Sequence, residues 1–424
     1  MTGSREEEMN MAIARQRIHL PPSAWKRAIG AGFNDAKDGP ETIERLERAF
    51  AEIMGSPDAV AVPSGRAGLK FTIDALELDP GAEIICSAFA YPVVPFIAHT
   101  MGYSVRFADC ELQTLGMDPE SLQEVISDRT AVVITTHLYG VPCRIREIRD
   151  IARRHGAILI EDCAHCYGAS VDSQPAGSFG TFGYFSFETS KPINTLGGGM
   201  VTVSDPELAQ RVREVARAQE PKDGSWLRKR LQKTTFEATV TNPMVFNLGV
   251  YPALRVLAKR DDSDRFASGY QPDETTMEGR MGRFTPYQAT LGLDQMATVG
   301  PQLEDRIANA ERLFRHLEGA VLFQRNPDPE VRSNYMLVAA LMPKLEQVAN
   351  RLLELGVDSK HHYMRDCTSI GDGGGSFPNA ARAEAEVLHL PAYPELSSSQ
   401  IDWIADRVRT AVTELGAIPN ELAR

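Results

Sequence analysis

TAVVITTHLYGVPCRIREIRDIARRHGAILIEDCAH, residues 130–165, holds two β-branched runs with a charged, helix-patterned stretch between them. Strand, helix and strand in that order make a parallel pair joined by a crossover. The rhythm extends in both directions. AVAVPSG, EIICSAF and SVRFADC read as strands before it, with GLKFTIDAL and PFIAHTMG as helices, and FGYFSFE and GGMVTVS read as strands after it. The series predicts an α/β fold: a large domain built on a mostly parallel sheet of about seven strands, flanked by helices. Ligands of such sheets bind at the carboxyl ends of the strands, so the residues ending each strand carry the functional reading.

The 424 residues suffice for two domains. A net charge of -12 argues against nucleic acid and anionic membrane as main partners. Six scattered cysteines point to a reducing compartment, and residues 1–17 lack an apolar signal core, so the expected location is the cytoplasm. Cys163 and Cys166 form a CxxC without the second ligand pair that zinc requires, and no metal is expected. Residues 84–103 carry no acid, lysine or arginine, but two prolines and the surrounding rhythm favour a buried strand, a loop and a helix over a membrane span.

The expected domains are an N-terminal arm at 1–24, a large domain at 25–280 and a smaller α+β C-terminal domain at 281–424. Within the second, residues 219–280 lose the rhythm and read as an insertion or linker: WLRKRLQK is basic and TVTNPMVFNLGVYPALRVLAK is apolar. The stretch 230–260 raises contact with a dimer partner or a membrane surface, with packing against its own subunit the plainer reading. In the last part NYMLVAALM reads as a strand, and LEQVANRLLELG, ARAEAEVLHL and SQIDWIADRVRTAVTEL as helices. DGGGS at 372–376 is a flexible loop.

Strand ends then supply four kinds of group. Ser64, Gly65, Arg66 and Ala67 lie between a strand and a helix, where small residues let amides approach an anion. Tyr91, after SAFA, can stack on a flat ligand, although aromatics at strand ends are commonly core. Asp162, in EDCAH with His165, can pair with a protonated ring nitrogen or cap the next turn. Ser186 and Lys191 follow in FSFETSK, with three glycines at 197–199. An anion cradle, an aromatic plate, a carboxylate and an amine together are what pyridoxal 5'-phosphate requires.

The motifs SGRAGL, SAFAYP, HLYG, EDCAHCYGA, FSFETSKPINTLGGGM, RFTPYQATLGL, HHY and FPNAARAEAEVLHLPAYPEL, in this order, resemble the DegT/DnrJ/EryC1/StrS family of aminotransferases. The resemblance runs from about residue 25 to the C-terminus, outside the 219–280 region. It implies the type I aminotransferase fold, pyridoxal phosphate, and a homodimer with shared active sites. It also implies transfer of an amino group from glutamate or glutamine to a keto-sugar, often nucleotide-linked, or a keto-cyclitol. Lys191 would bond covalently to the cofactor and Asp162 would hold its pyridine nitrogen. Tyr91 would stack on it, and Gly65, Arg66, Ala67 and Ser186 would bind phosphate. Arg283 would come from the partner subunit, and His362 and Tyr363 would lie near the substrate. The chain departs from the family pattern at His165, commonly glutamine; at Arg66, commonly threonine; at Met281, commonly asparagine; and after HHY, where MRDCTS replaces prolines. Related readings are an aminohydroxybenzoate synthase, an unusual or lipid-linked keto acceptor, and a non-catalytic sensor. Sugar 3-dehydratases of the family carry histidine at the position of Lys191, which argues against that reaction.

Overall fold

The computed structural model describes residues 11–31, 39–222, 224–258, 272–277, 279–371, 374–419 and 421–422. The acidic start of the arm, residues 259–271 of the 219–280 region, and Asp372 and Gly373 of the glycine loop lie outside the described residues.

Seven strands form the large sheet: β1 (Asp58–Val62), β2 (Glu83–Ser87), β3 (Ser104–Ala108), β4 (Thr130–Thr136), β5 (Ile158–Asp162), β6 (Phe182–Ser186) and β7 (Gly199–Val203). Their spatial order is β1-β7-β6-β5-β4-β2-β3. β6, β5, β4, β2 and β3 pair in parallel, and β7 runs antiparallel to both neighbours. Residues 130–165 behave as their pattern predicts, with Thr136 of β4 beside Asp162 of β5 in register. Strands such as EIICS are buried along their whole length because helices cover both faces.

The helices that position the site are α1 (Ala24–Ala31), α2 (Pro40–Met54), α3 (Gly65–Ala75), α4 (Val93–Thr100), α5 (Ile145–Arg154), α6 (Pro206–Arg217), α7 (Gly224–Val240), α8 (Pro286–Met296), α9 (Val299–His316), α10 (Leu345–Glu354) and α11 (Ser398–Leu415). α5 shows why a sequence with so many charges is helical. Ile145, Ile148, Ile151 and Ala152 form its buried stripe, packed with Val133 and Leu159, while the charged residues face outward. The run 84–103 is β2 followed by α4, both buried in the main core.

The smaller unit is an antiparallel sheet of four short strands, β8 (Leu322–Phe323), β9 (Val338–Leu341), β10 (Lys360–His361) and β11 (Val387–Leu390), in the order β8-β9-β11-β10. α9, α10 and α11 supply its apolar cover. Expected as wholly helical, ARAEAEVLHL splits: the helix ends at Glu386, and VLHL is the strand β11. Pairing on both sides, to β9 and β10, outweighs the local helical preference. Two segments cross between the units. Ile13 packs in the small core and bonds Gly356 and Val357's neighbour Asp358 through its backbone. Phe284 and Ala289, past the expected boundary at 281, pack instead with Leu46, Phe50 and Phe187 beside the large sheet.

The region read as a linker is largely helical. α7 packs Leu227 and Leu231 against Leu196, Tyr287 and Leu291. After a turn, Pro243–Val245, a π-helical Phe246–Val250 and Tyr251–Ala258 run on in sequence. Its apolar prolines hid that helix: Pro243 occupies the first helical position, where a missing N–H costs nothing. No helix among the described residues is long and apolar enough to cross a membrane.

Candidate active site

A cavity of about 240 Å³ lies at the carboxyl ends of β4, β5 and β6, as the fold requires. Its wall includes Gly65, Arg66, Tyr91, Asp162, His165, Ser186, Lys191 and Tyr363. Elements far apart in sequence thus bring together eight of the eleven residues selected from the sequence.

Lys191 follows a turn closed by its own amide on the Glu188 carbonyl at 2.9 Å. Burial of the amine pulls its pKa from 10.5 down to about 7; Asp162 opposes the fall and Lys360 adds to it. A lysine poised there is a nucleophile and a base, not a fixed cation. The glycines behind it are sterically required. Gly198 has φ +117, and a Cβ on it would meet the Phe284 ring at 2.4 Å. Buried Gln288 pins the same loop, donating to the carbonyls of Gly197 (2.6 Å) and Thr195 (3.2 Å).

Asp162 ends β5 and is buried. Desolvation raises its pKa, opposed by the Ala164 amide at 2.9 Å, by Tyr184 and by Lys191. A buried carboxylate so placed gains from a cationic partner. Its neighbour Glu161 has another task. It accepts from the amides of Gly177, Phe179 and Gly180 and contacts His137 Nε2 at 2.9 Å. With Cys163 these form a cluster of ligand-type atoms within 4.8 Å, but Glu161's oxygens are already committed to locking the 177–180 loop.

His165 is buried, and its Nδ1 accepts the Tyr139 amide at 3.2 Å. That bond assigns the proton to Nε2. Burial first, then Lys191, His389 and Lys360, hold its pKa well below the ordinary imidazole value. His165 is therefore a neutral donor that does not take up a second proton near neutrality.

α3 begins at the cavity. Ser64 caps it, its Oγ accepting the Ala67 amide at 3.1 Å. Gly65 and Arg66 line the space, whereas Ala67 is buried behind them with its amide engaged. The Arg66 guanidinium donates to Tyr91 Oη at 2.9 Å and to the Thr276 carbonyl at 2.8 Å. Tyr91 and Tyr363 stand with ring centroids 5.8 Å apart, and Tyr363 lies 5.7 Å from His165. His362, with φ +52, packs on His361 and stays outside the cavity. Arg283 is exposed and donates to the Gln219 carbonyl.

Sequence reasoning missed Thr136, Tyr184, Glu188 and Arg280, which also line the cavity. Thr136 and Tyr184 were within reach, since they sit on strands already assigned, beside Asp162 in register. Glu188 was not. It is gripped by Arg230 of α7 and by Arg280, and nothing local announces pairs 42 and 92 residues apart.

A mostly parallel seven-stranded sheet with an amine, a carboxylate, an aromatic pair and a helix N-terminus around one cavity defines a type I pyridoxal-phosphate enzyme. The DegT/DnrJ/EryC1/StrS aminotransferase family profile matches residues 32–409, and the chain belongs to that family. It is 28% identical over 384 residues to the spore coat polysaccharide biosynthesis protein SpsC of Bacillus subtilis, covering 88% of this chain and 90% of that one. It is 26% identical to the dTDP-4-dehydro-2,3,6-trideoxy-D-glucose 4-aminotransferase of Saccharopolyspora spinosa, with the same coverage. The crystal structure of the aminotransferase TlmJ from Streptoalloteichus hindustanus superposes with a TM-score of 0.74 at 23% identity, over 96% of this chain and all of that one. The protein is a pyridoxal-phosphate-dependent aminotransferase.

The residues present fit that cofactor. The Thr136 hydroxyl is buried without a partner. A Cβ on Gly65 would stand 3.3 Å from Ser186 Cβ, so the glycine keeps the start of α3 open beside Ser186.

Proposed function

We propose that the protein transfers an amino group from glutamate or glutamine to the ketone of a nucleotide-linked sugar or a cyclitol. The observation that carries this reading is Lys191, a buried amine held near a pKa of about 7 in one cavity with Asp162. Pyridoxal phosphate supplies an electrophilic carbon for the donor's nitrogen and a ring that absorbs the electrons left when a proton departs. The chain's own groups do the rest. Lys191 would hold the cofactor covalently, and its freed amine would take the proton from the donor's α-carbon and return it one position away. Asp162 would bind the pyridine N–H. His165 Nε2–H would donate to the ring's hydroxyl side. Gly65, Arg66 and Ser186 would bind the phosphate, with Ala67 supporting the turn. Tyr91 and Tyr363 would bound the ring face and the acceptor, and His362 would shape the adjacent strand.

Arg283, exposed in its own subunit, fits a contribution to a partner's site in a homodimer. The relative from Saccharopolyspora, which acts on a dTDP-linked keto-sugar, supports an acceptor of that class. The test is absorbance of the purified enzyme with each donor, followed by a panel of nucleotide-linked keto-sugars and keto-cyclitols. Bleaching of the cofactor band by one donor, and its recovery with one acceptor, are expected. A band unmoved by glutamate and glutamine would reject the donor assignment.

A further inference from the structure

Seven of the nine large hydrophobic side chains exposed among the described residues fall in two short segments, α1 and 236–256. Leu248 is 80% exposed, Met244 68% and Phe236 66%. The helical run 243–258 is two-faced. Its inner face is fixed to the body: Asn247 bonds Ala12 in both directions, at 2.7 and 2.9 Å, and Tyr251 Oη donates to the Leu353 carbonyl at 3.0 Å. Its outer face recurs at 244–245, 248–249, 252–253 and 255–256, and every residue there except Arg255 is apolar or glycine. The exposed positions of α7 include Arg228, Lys229 and Lys233, and Phe236 follows on that helix. Trp25 of α1 joins it, its Nε1 donating to Thr235 Oγ1 at 3.1 Å.

We propose that this surface docks the enzyme on an anionic lipid bilayer, lying in the interface without crossing it. Three observations choose that occupant. The exposed charged side chains of residues 224–258 are Arg228, Lys229, Lys233 and Arg255, all basic, in a chain whose net charge is -12, so this region complements a negative surface. Exposed apolar residues at helical spacing, a tryptophan, and exposed lysines and arginines on the preceding helix are the composition of an interfacial surface. A second copy docking by a two-fold axis would bring the same basic rows toward each other, which opposes self-association through this face. The charge argument read from the whole sequence against an anionic membrane therefore fails locally.

The experiment sediments the full-length holoenzyme with vesicles of phosphatidylcholine, alone or with a third phosphatidylglycerol. Partitioning into the phosphatidylglycerol vesicles, weakened by salt, is expected. Each basic side chain near such a surface raises partitioning roughly fivefold. The pair Arg228→Glu and Lys233→Glu, and separately the pair Met244→Asp and Leu248→Asp, should each cut it at least about tenfold, with the cofactor band and melting temperature retained. If the aspartate pair does not fold, the charge-reversal pair decides. No partitioning, equal partitioning of a folded variant, or equal binding to phosphatidylcholine alone would overturn the proposal. So would a drop in the aspartate pair's mass by light scattering with no vesicle binding, because a second copy would then cover the face.

Discussion

Removing Lys360 should move the pH at which Lys191 becomes reactive, and the direction is fixed by charge. Burial pulls the Lys191 amine from 10.5 down to about 7, Asp162 pushes it up and Lys360 pulls it further down. An amine with a pKa of 10.5 is neutral at pH 7 in about one molecule in three thousand, whereas at about 7 half the molecules are neutral. The cavity therefore raises the reactive fraction on the order of a thousandfold. The assay is stopped-flow capture of added pyridoxal phosphate by the cofactor-free protein between pH 5.5 and 9.5. The wild type should gain about tenfold per pH unit below 7 and level off above it, because only the neutral amine attacks. Lys360→Gln removes a nearby cation, so its plateau should begin at higher pH. Asp162→Asn removes an anion, so its plateau should begin at lower pH. A wild-type rate that keeps climbing to pH 9.5, or two variants that move the inflection the same way, would show that the cavity does not set the reactivity of Lys191. Linkage gives a companion sign: the unfolded chain binds more protons at this lysine between about 7 and 10.5, so this group makes the cofactor-free protein more stable as pH rises across that window.

Lys191→Ala should lower transamination by at least about a thousandfold, within the range for losing a positioned proton-transfer group, measured as product formed per enzyme. His165→Asn should keep an acceptor for the Tyr139 amide but lose the outward donor, so activity falls while the melting temperature holds. His165→Ala should also cost about 1–3 kcal/mol in chemical denaturation, since that amide is then buried unpaired. Gly198→Ala, forced to φ +117 against Phe284, should lower stability by at least about 1–3 kcal/mol in thermal unfolding. Gly65→Ala should weaken cofactor retention on dialysis, because its methyl would press on Ser186.

The large sheet was legible because each of its strands is a short apolar run ending in small or polar residues, and parallel strands buried on both faces leave that signature. Asp162 and Ser186, which end strands, and Gly65 and Lys191, which follow strand ends, were legible as cavity residues for the same reason. VLHL escaped because a helix runs directly into it, and only its partners Val338–Leu341 and Lys360–His361 decide its conformation. The Glu188–Arg230–Arg280 group escaped because it is assembled by long-range pairing. The state of His165 also needed the fold: its Nδ1 acceptor role depends on Tyr139, which takes φ +58 to present its amide.

Lys191 is proposed as the amine that holds the cofactor. Borohydride reduction of the purified holoenzyme, proteolysis and mass spectrometry of the peptides test it directly. A pyridoxyl phosphate adduct is expected on the peptide carrying Lys191, absent when the enzyme is first incubated with the effective amino donor. An adduct on another lysine, such as Lys222 or Lys360, or no adduct in protein saturated with pyridoxal phosphate, would contradict it.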